Sequence, residues 1–299
     1  MKPAIVLATL APILAALPAP AQQCRPLDDP TRAKVLAYAQ GLYGNIAAAP
    51  LQIANAALDP ATCIYALTFT TSPPAEPFRR QLFLSPDRRY LTTAVYDLHA
   101  PLGTRAAFLN RGFDAFLRQH HIPTLGATDA PVLVTVFGDY QCARCAALAR
   151  MLRDELVPSL NQRVRVAFLN HPSSRHDWAQ TAAQAAACAA TQTDAAYWAI
   201  HNFLIENQDQ LSAQNLAPGL DNFVPSIPGL DGDALRACIA SEETKPEIEA
   251  ESNLALASGV TTRPTLFLNG YEWAGPATAD QLRQAIANLP GQAKTRAGR

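Results

Sequence analysis

Residues 129–145 read DAPVLVTVFGDYQCARC, an almost unbroken apolar run that leads into two cysteines three positions apart. Such a run, bounded by polar residues, is typical of a strand buried on both faces. The period then changes. From Cys145 onward Leu148, Met151, Leu152 and Leu156 recur at spacings of three and four, the mark of one helical face. Cys142 and Cys145 therefore stand at or just before the first turn of a helix that follows a buried strand. RVRVAFLN (163–170) reads as a second buried strand, and strand-helix-strand predicts a parallel pair.

Residues 172 to about 258 are helical in pattern, in the segments DWAQTAAQAAACAATQ, AAYWAIHNFLIENQDQL, DALRACIASEE and KPEIEAESNLALASG. PTLFLNGYEWAG (264–275) is a hairpin turning at Asn269-Gly270, and TADQLRQAIANL (278–289) is a closing helix with Thr278 as N-cap.

Upstream, DDPTRAKVLAYAQGLYG (28–44) predicts a helix with Pro30 near its first turn. TCIYALTFTT, PFRRQLFL and RYLTTAVYDL follow as strands, with a loop at Pro73-Pro74 and Pro77 and a turn at Ser85–Arg88. Residues 22–100 thus form a small α+β unit. A linker helix (101–122) joins it to an α/β domain over 123–292, and 293–299 is a disordered tail. The first 21 residues carry Lys2, an apolar run from Ala4 to Leu17 and an Ala19-Pro20-Ala21 cleavage signature, so 1–21 is expected to be a secretory signal peptide and the location periplasmic or otherwise extracytoplasmic. An uncleaved anchor is disfavoured because the run is short of about 18 residues and contains Pro12.

With 299 residues and 49% hydrophobic content the chain can bury a large core. A net charge of −1 with 16% charged residues provides no basic field for nucleic acid. Export would let disulfides persist, and the six cysteines are an even number. Zinc at Cys142 and Cys145 would need two further ligands, and no second C-x-x-C exists. A c-type haem would need histidine at 146, which is alanine. An inert structural bridge and a copper(I) carrier remain as alternatives, although two methionines in the whole chain give little support to the latter.

The chemistry best suited to this placement is dithiol exchange with no metal and no organic cofactor. A thiolate at a helix N-terminus is stabilised by unpaired backbone N–H groups and the helix dipole. Cys142 is then the nucleophile and Cys145 the resolving thiol. Arg144 adds a charge that favours thiolate. Asp139 is either the cap of the following helix or a proton relay to the buried thiol. His171 and His176 are expected as surface or capping residues, His120 and His121 as solvated, the run SEETKPEIEAE (241–251) as a wet helix face, and the aromatic stretch AAYWAIHNFL (195–204) as core.

DAPVLVTVFGDYQCARC, followed at long range by SGVTTRPTLFLNG (258–270), resembles the DsbA group of thioredoxin-fold proteins, in the branch with a helical insert (here about 172–258). The resemblance implies a thiol-disulfide oxidoreductase acting on cysteines of exported proteins, with a membrane redox partner. It also implies a cis-proline at Pro264 whose neighbouring backbone, with Arg263 and Thr265, holds an extended substrate strand. Arg263 departs from the family's usual threonine or valine and adds a second cation near the dithiol. By the same resemblance Cys188 and Cys238 form a non-catalytic disulfide. Cys24 and Cys63 are a further candidate pair, closing a loop of about 40 residues. RRQLFLSPDRRYLTTAVYDL (79–98) is loosely similar to the dimerisation domain of DsbC and DsbG isomerases, which leaves open a homodimeric isomerase kept reduced.

Overall fold

Val35 and Ala39, one turn apart on α1 (Asp29–Ala47), face a four-stranded antiparallel sheet of β1 (Leu51–Leu58), β2 (Tyr65–Thr71), β3 (Arg79–Leu84) and β4 (Leu91–Thr92), ordered as in the chain. The computed structural model describes residues 24–47, 50–71, 79–92, 95, 103–160 and 162–290, without the side chains of 44–47 and 79. The expected signal peptide, the Pro73–Pro77 loop and the 293–299 tail lie outside the described residues. Leu67, Phe69, Leu82 and Leu84 fill the space under α1, and Cys24 is joined to Cys63.

β1 was not expected. LQIANAAL has little β propensity, and its one well-buried residue is Leu51. It is a strand because β2 offers a free edge, which it pairs across a bulge at Ile53–Asn55.

The second unit runs α2 (Thr104–Gln119), β5 (Leu125–Gly126), β6 (Val132–Gly138) and α3 (Ala143–Met151). A π-helical turn, Leu152–Leu156, carries α3 into the short α4 (Val157–Ser159), and β7 (Val164–Asn170) follows. The insert is α5 (Ala179–Ala190), α6 (Asp194–Glu206), α7 (Leu216–Phe223), α8 (Gly232–Ala240) and α9 (Lys245–Ala257). β8 (Thr265–Leu268), β9 (Tyr271–Trp273) and α10 (Ala279–Ala287) close the chain. The five strands are ordered β5-β7-β6-β8-β9, with β6 and β7 parallel and the other pairs antiparallel. Cys188 of α5 is bonded to Cys238 of α8.

β6 is buried along its whole length because both its faces are covered. Val132, Val134 and Val136 pack with Ala146, Leu152, Leu156, Leu282 and Ile286. Leu133 and Phe137 point the other way, to Leu109, Phe113, Leu117 and Ala255. The helix read as a linker, α2, is therefore part of this fold: Phe113 meets Phe137 and Phe267 edge-on, with centroids 5.6 and 5.1 Å apart.

At the hairpin Asn269 and Gly270 both have positive φ, 46° and 80°, as a type I′ turn requires. Asn269 Oδ1 accepts from Leu133 N at 2.7 Å, and a Cβ on Gly270 would fall 1.9 Å from Ala106 O, so the turn seats directly on α2. Thr278 caps α10 in a capping box with Gln281.

Candidate active site: a dithiol at a helix N-terminus

Cys142 is the N-cap of α3, in extended conformation (φ −90°, ψ 110°). Its Sγ accepts from Cys145 N at 3.3 Å. Cys142 is half-buried, whereas Cys145, one turn further in, is completely covered. A hydrogen bond from the Cys145 thiol, with further ones from the Cys145 and Arg144 backbone N–H groups, brings the Cys142 thiol down to about 6 against burial and the Asp139 charge. The Cys145 thiol moves the other way, held far above the usual range by its hydrogen bond to Cys142, by burial and by the adjacent negative charge. The two sulfurs are thus differentiated into an accessible thiolate and a concealed thiol.

The hydrogen bond between the two sulfurs comes first in producing this difference, with the helix-end N–H groups adding to it on Cys142 and burial on Cys145. Arg144 is exposed and acts on Cys142 through its backbone N–H. Arg263 turns its guanidinium to the segment after β7, where Nε donates to His171 O and Nη2 to Pro172 O at 3.3 Å. Its backbone carbonyl faces the dithiol, with Cys142 Sγ 4.0 Å from Arg263 O, and the Arg263–Pro264 bond is cis. Thr265 turns inward: Oγ1 donates to Thr262 O at 2.8 Å, and the residue begins β8 opposite Phe137.

These strands, this helix and this hairpin correspond to a thioredoxin family model that matches residues 119–288. The chain belongs to the thioredoxin family. The disulfide bond formation protein D of Bacillus subtilis is 25% identical over 186 residues, which cover 59% of this chain and 82% of that protein. The Na(+)/H(+) antiporter NhaA 3 of Salinispora tropica is 31% identical over 172 residues, 57% of this chain, but the chain spans only 25% of that protein's length. Among solved structures, oxidised BdbD from Bacillus subtilis is similar with a TM-score of 0.49 and 24% identity, over 55% of this chain and 90% of that one. A thioredoxin-like oxidoreductase from Silicibacter pomeroyi DSS-3 has a TM-score of 0.48 and 24% identity, over 58% and 94%.

Asp139 is buried, and its carboxylate caps two loops at once. Oδ1 accepts from Gln141 N at 2.7 Å and Oδ2 from Ser173 N at 2.8 Å, with His176 Nδ1 also 2.8 Å from Oδ2. His176, which stays partly exposed, is thereby tied into the site's frame. His171, expected as a surface or capping residue, is buried, because its backbone N–H continues the sheet pairing to Gly138 O at 2.7 Å and draws the ring inward. Burial, then Arg263 and Arg80, push its imidazole down to about 3, so it is neutral.

Several supporting residues carry no local sequence signal for their role. Tyr140 follows Asp139 into the core, where its hydroxyl lies 2.8 Å from Nδ1 of His201 on α6. Gln141 accepts from Trp178 N at 3.0 Å and donates to Asp177 at 2.8 Å. Glu251, in the run read as a wet face, is in fact buried and held by Asn170 N and Asn170 Nδ2, and burial raises its carboxyl to about 8. Its face of α9 is covered by β7, which only the packing reveals. Among the described residues no helix is long and apolar enough to cross a membrane, and no cluster of three or more His, Cys, Asp or Glu is arranged to hold a metal ion.

Proposed function

We propose that this chain is an extracytoplasmic thiol-disulfide oxidoreductase acting on cysteines of exported proteins through Cys142 and Cys145. The observation that carries the reading is the differentiated pair: a half-exposed thiolate brought to about 6 at a helix N-terminus, backed by a fully covered thiol. In the oxidising direction a substrate thiolate attacks Sγ of Cys142 in the Cys142–Cys145 disulfide, forming a mixed disulfide and releasing Cys145, which takes up a proton. A second substrate thiolate attacks its own mixed-disulfide sulfur and expels Cys142 as thiolate. Two electrons pass from the substrate to the protein, and a membrane redox partner would remove them.

A stabilised Cys142 thiolate lowers the free energy of the reduced protein and so favours oxidation of substrates. The Arg263 carbonyl beside Cys142 Sγ supports pairing with an extended substrate backbone, with Arg263, Pro264 and Thr265 as the docking segment. The apolar N-terminal run with its Ala19-Pro20-Ala21 site supports export.

The deciding experiment equilibrates the protein with glutathione buffers, with Cys142→Ser as control. A reduction potential near about −120 mV supports an oxidant, whereas one near about −270 mV contradicts that direction. A second reading, a dimeric isomerase kept reduced, is favoured by Tyr38 and Leu42, exposed one turn apart on α1 (61% and 51%). Sedimentation of the full chain as a dimer, with a low potential, would support it.

A further inference from the structure

Arg80 stands where an arginine is costly. On β3 it precedes Leu82 and Leu84 by two and four positions, so the strand alternation sets it on the sheet's apolar face, and it is 7% exposed. Among the described residues no carboxylate pairs with it, and its Nε has no hydrogen-bond partner. What receives it is a ring and a carbonyl: the guanidinium carbon lies 5.7 Å from the centroid of Tyr43, and Nη1 donates to Val260 O at 3.1 Å.

That carbonyl belongs to the segment that leads to the dithiol. α9 ends at Ala257, and Val260 N returns to Ala255 O at 3.0 Å. Arg105 of α2 donates to Ser258 O at 2.9 Å. Val260 has both its backbone polar groups engaged, one by α9 and the other by Arg80. Three residues later Arg263 presents its carbonyl to Cys142 Sγ, and β8 begins at Thr265. One end of the 260–264 segment is thus anchored by the central sheet and the other by an arginine from the N-terminal sheet.

We infer that the N-terminal unit serves the thiol-disulfide site as a brace, with Arg80 as a positioning residue that holds the Val260–Pro264 segment in register with Cys142 for docking of an extended peptide. The inference rests on the exchange activity proposed above. Arg80 touches neither sulfur, so its contribution lies in peptide docking and not in the reactivity of Cys142. Glutathione, a γ-linked tripeptide too short to lie down as an extended strand, is far less sensitive to it.

The test compares full-length wild type, Arg80→Met and Arg80→Lys in two reactions: oxidation of a fluorogenic dithiol peptide, turned over with glutathione disulfide in excess, and exchange of the Cys142–Cys145 pair with glutathione alone. Far-UV circular dichroism and thermal melting check the fold. Arg80→Met is expected to raise KM for the peptide about tenfold with kcat and the glutathione rate within twofold of wild type, and Arg80→Lys, which retains a donor for Val260 O, to recover most of the loss. A folded Arg80→Met with peptide KM within twofold of wild type overturns the inference, as does an equal loss in both reactions. Should Arg80→Met not fold, Arg80→Gln is read against the same limits. Wild type inert toward both peptide and glutathione would instead overturn the exchange reading itself.

Discussion

The hydroxyl of Tyr140 and Nδ1 of His201 meet at 2.8 Å in a fully enclosed part of the core, tying the loop that precedes Cys142 to helix α6 of the insert. Gln208 Nε2 adds a second tie, donating to Tyr140 O at 2.5 Å. The insert therefore supports the active-site loop from behind. Removing one partner leaves a buried polar atom unpaired, whereas removing both leaves none. Tyr140→Phe is expected to cost about 1–3 kcal/mol. Tyr140→Phe combined with His201→Leu should cost less than the sum of the single changes, as a double-mutant cycle in urea would measure.

The acid side of the stability profile carries two histidines. His171 and His201 are each pushed down to about 3, mainly by burial. A depressed group contributes stability that is fully present above its unfolded value, about 6.5, and lost as pH falls toward 3. His201→Leu should flatten unfolding free energy against pH across that window, and denaturant titrations at pH 4 and 7 will show it.

Glu251 has the opposite sign. Its carboxyl is raised to about 8, so the stability it confers is present at acid pH and lost as pH rises toward and through 8. Glu251→Gln keeps an uncharged acceptor for Asn170 and should make the protein less sensitive to alkali. Melting at pH 6 and 9 checks this: the wild type falls more steeply than the variant.

Alkylation separates the two thiols. With Cys142 at about 6 its reaction with iodoacetamide should be nearly flat above pH 7 and fall about tenfold per pH unit well below 6. Cys145, held high and fully covered, should remain unmodified in the native reduced protein, so intact mass gives one adduct. Cys145→Ser should trap mixed disulfides on Cys142.

Asp139 opposes the Cys142 thiolate by its charge while holding Gln141 N and Ser173 N. Asp139→Asn is expected to lower the Cys142 value further, read as thiolate absorbance at 240 nm. It should also reduce stability by about 1–3 kcal/mol, because the amide cannot accept from both loops.

Much of the site was legible in local pattern. An apolar run before a three-and-four spacing identified a buried strand leading to a helix with Cys142 and Cys145 at its head, and Asn269-Gly270 identified the hairpin. These signals survive in sequence because strand and helix periods, turn chemistry and caps depend on neighbours a few residues away. What depended on distant partners was decided only by the tertiary structure. α2 joins the thioredoxin layer because Phe137 and Phe267 receive Phe113, and LQIANAAL is a strand because β2 has an open edge. His171 and Glu251 are buried because of what covers them, and Arg80 meets Val260 O, 180 positions away. No residue's own chemistry announces its burial; that belongs to the surfaces that close over it.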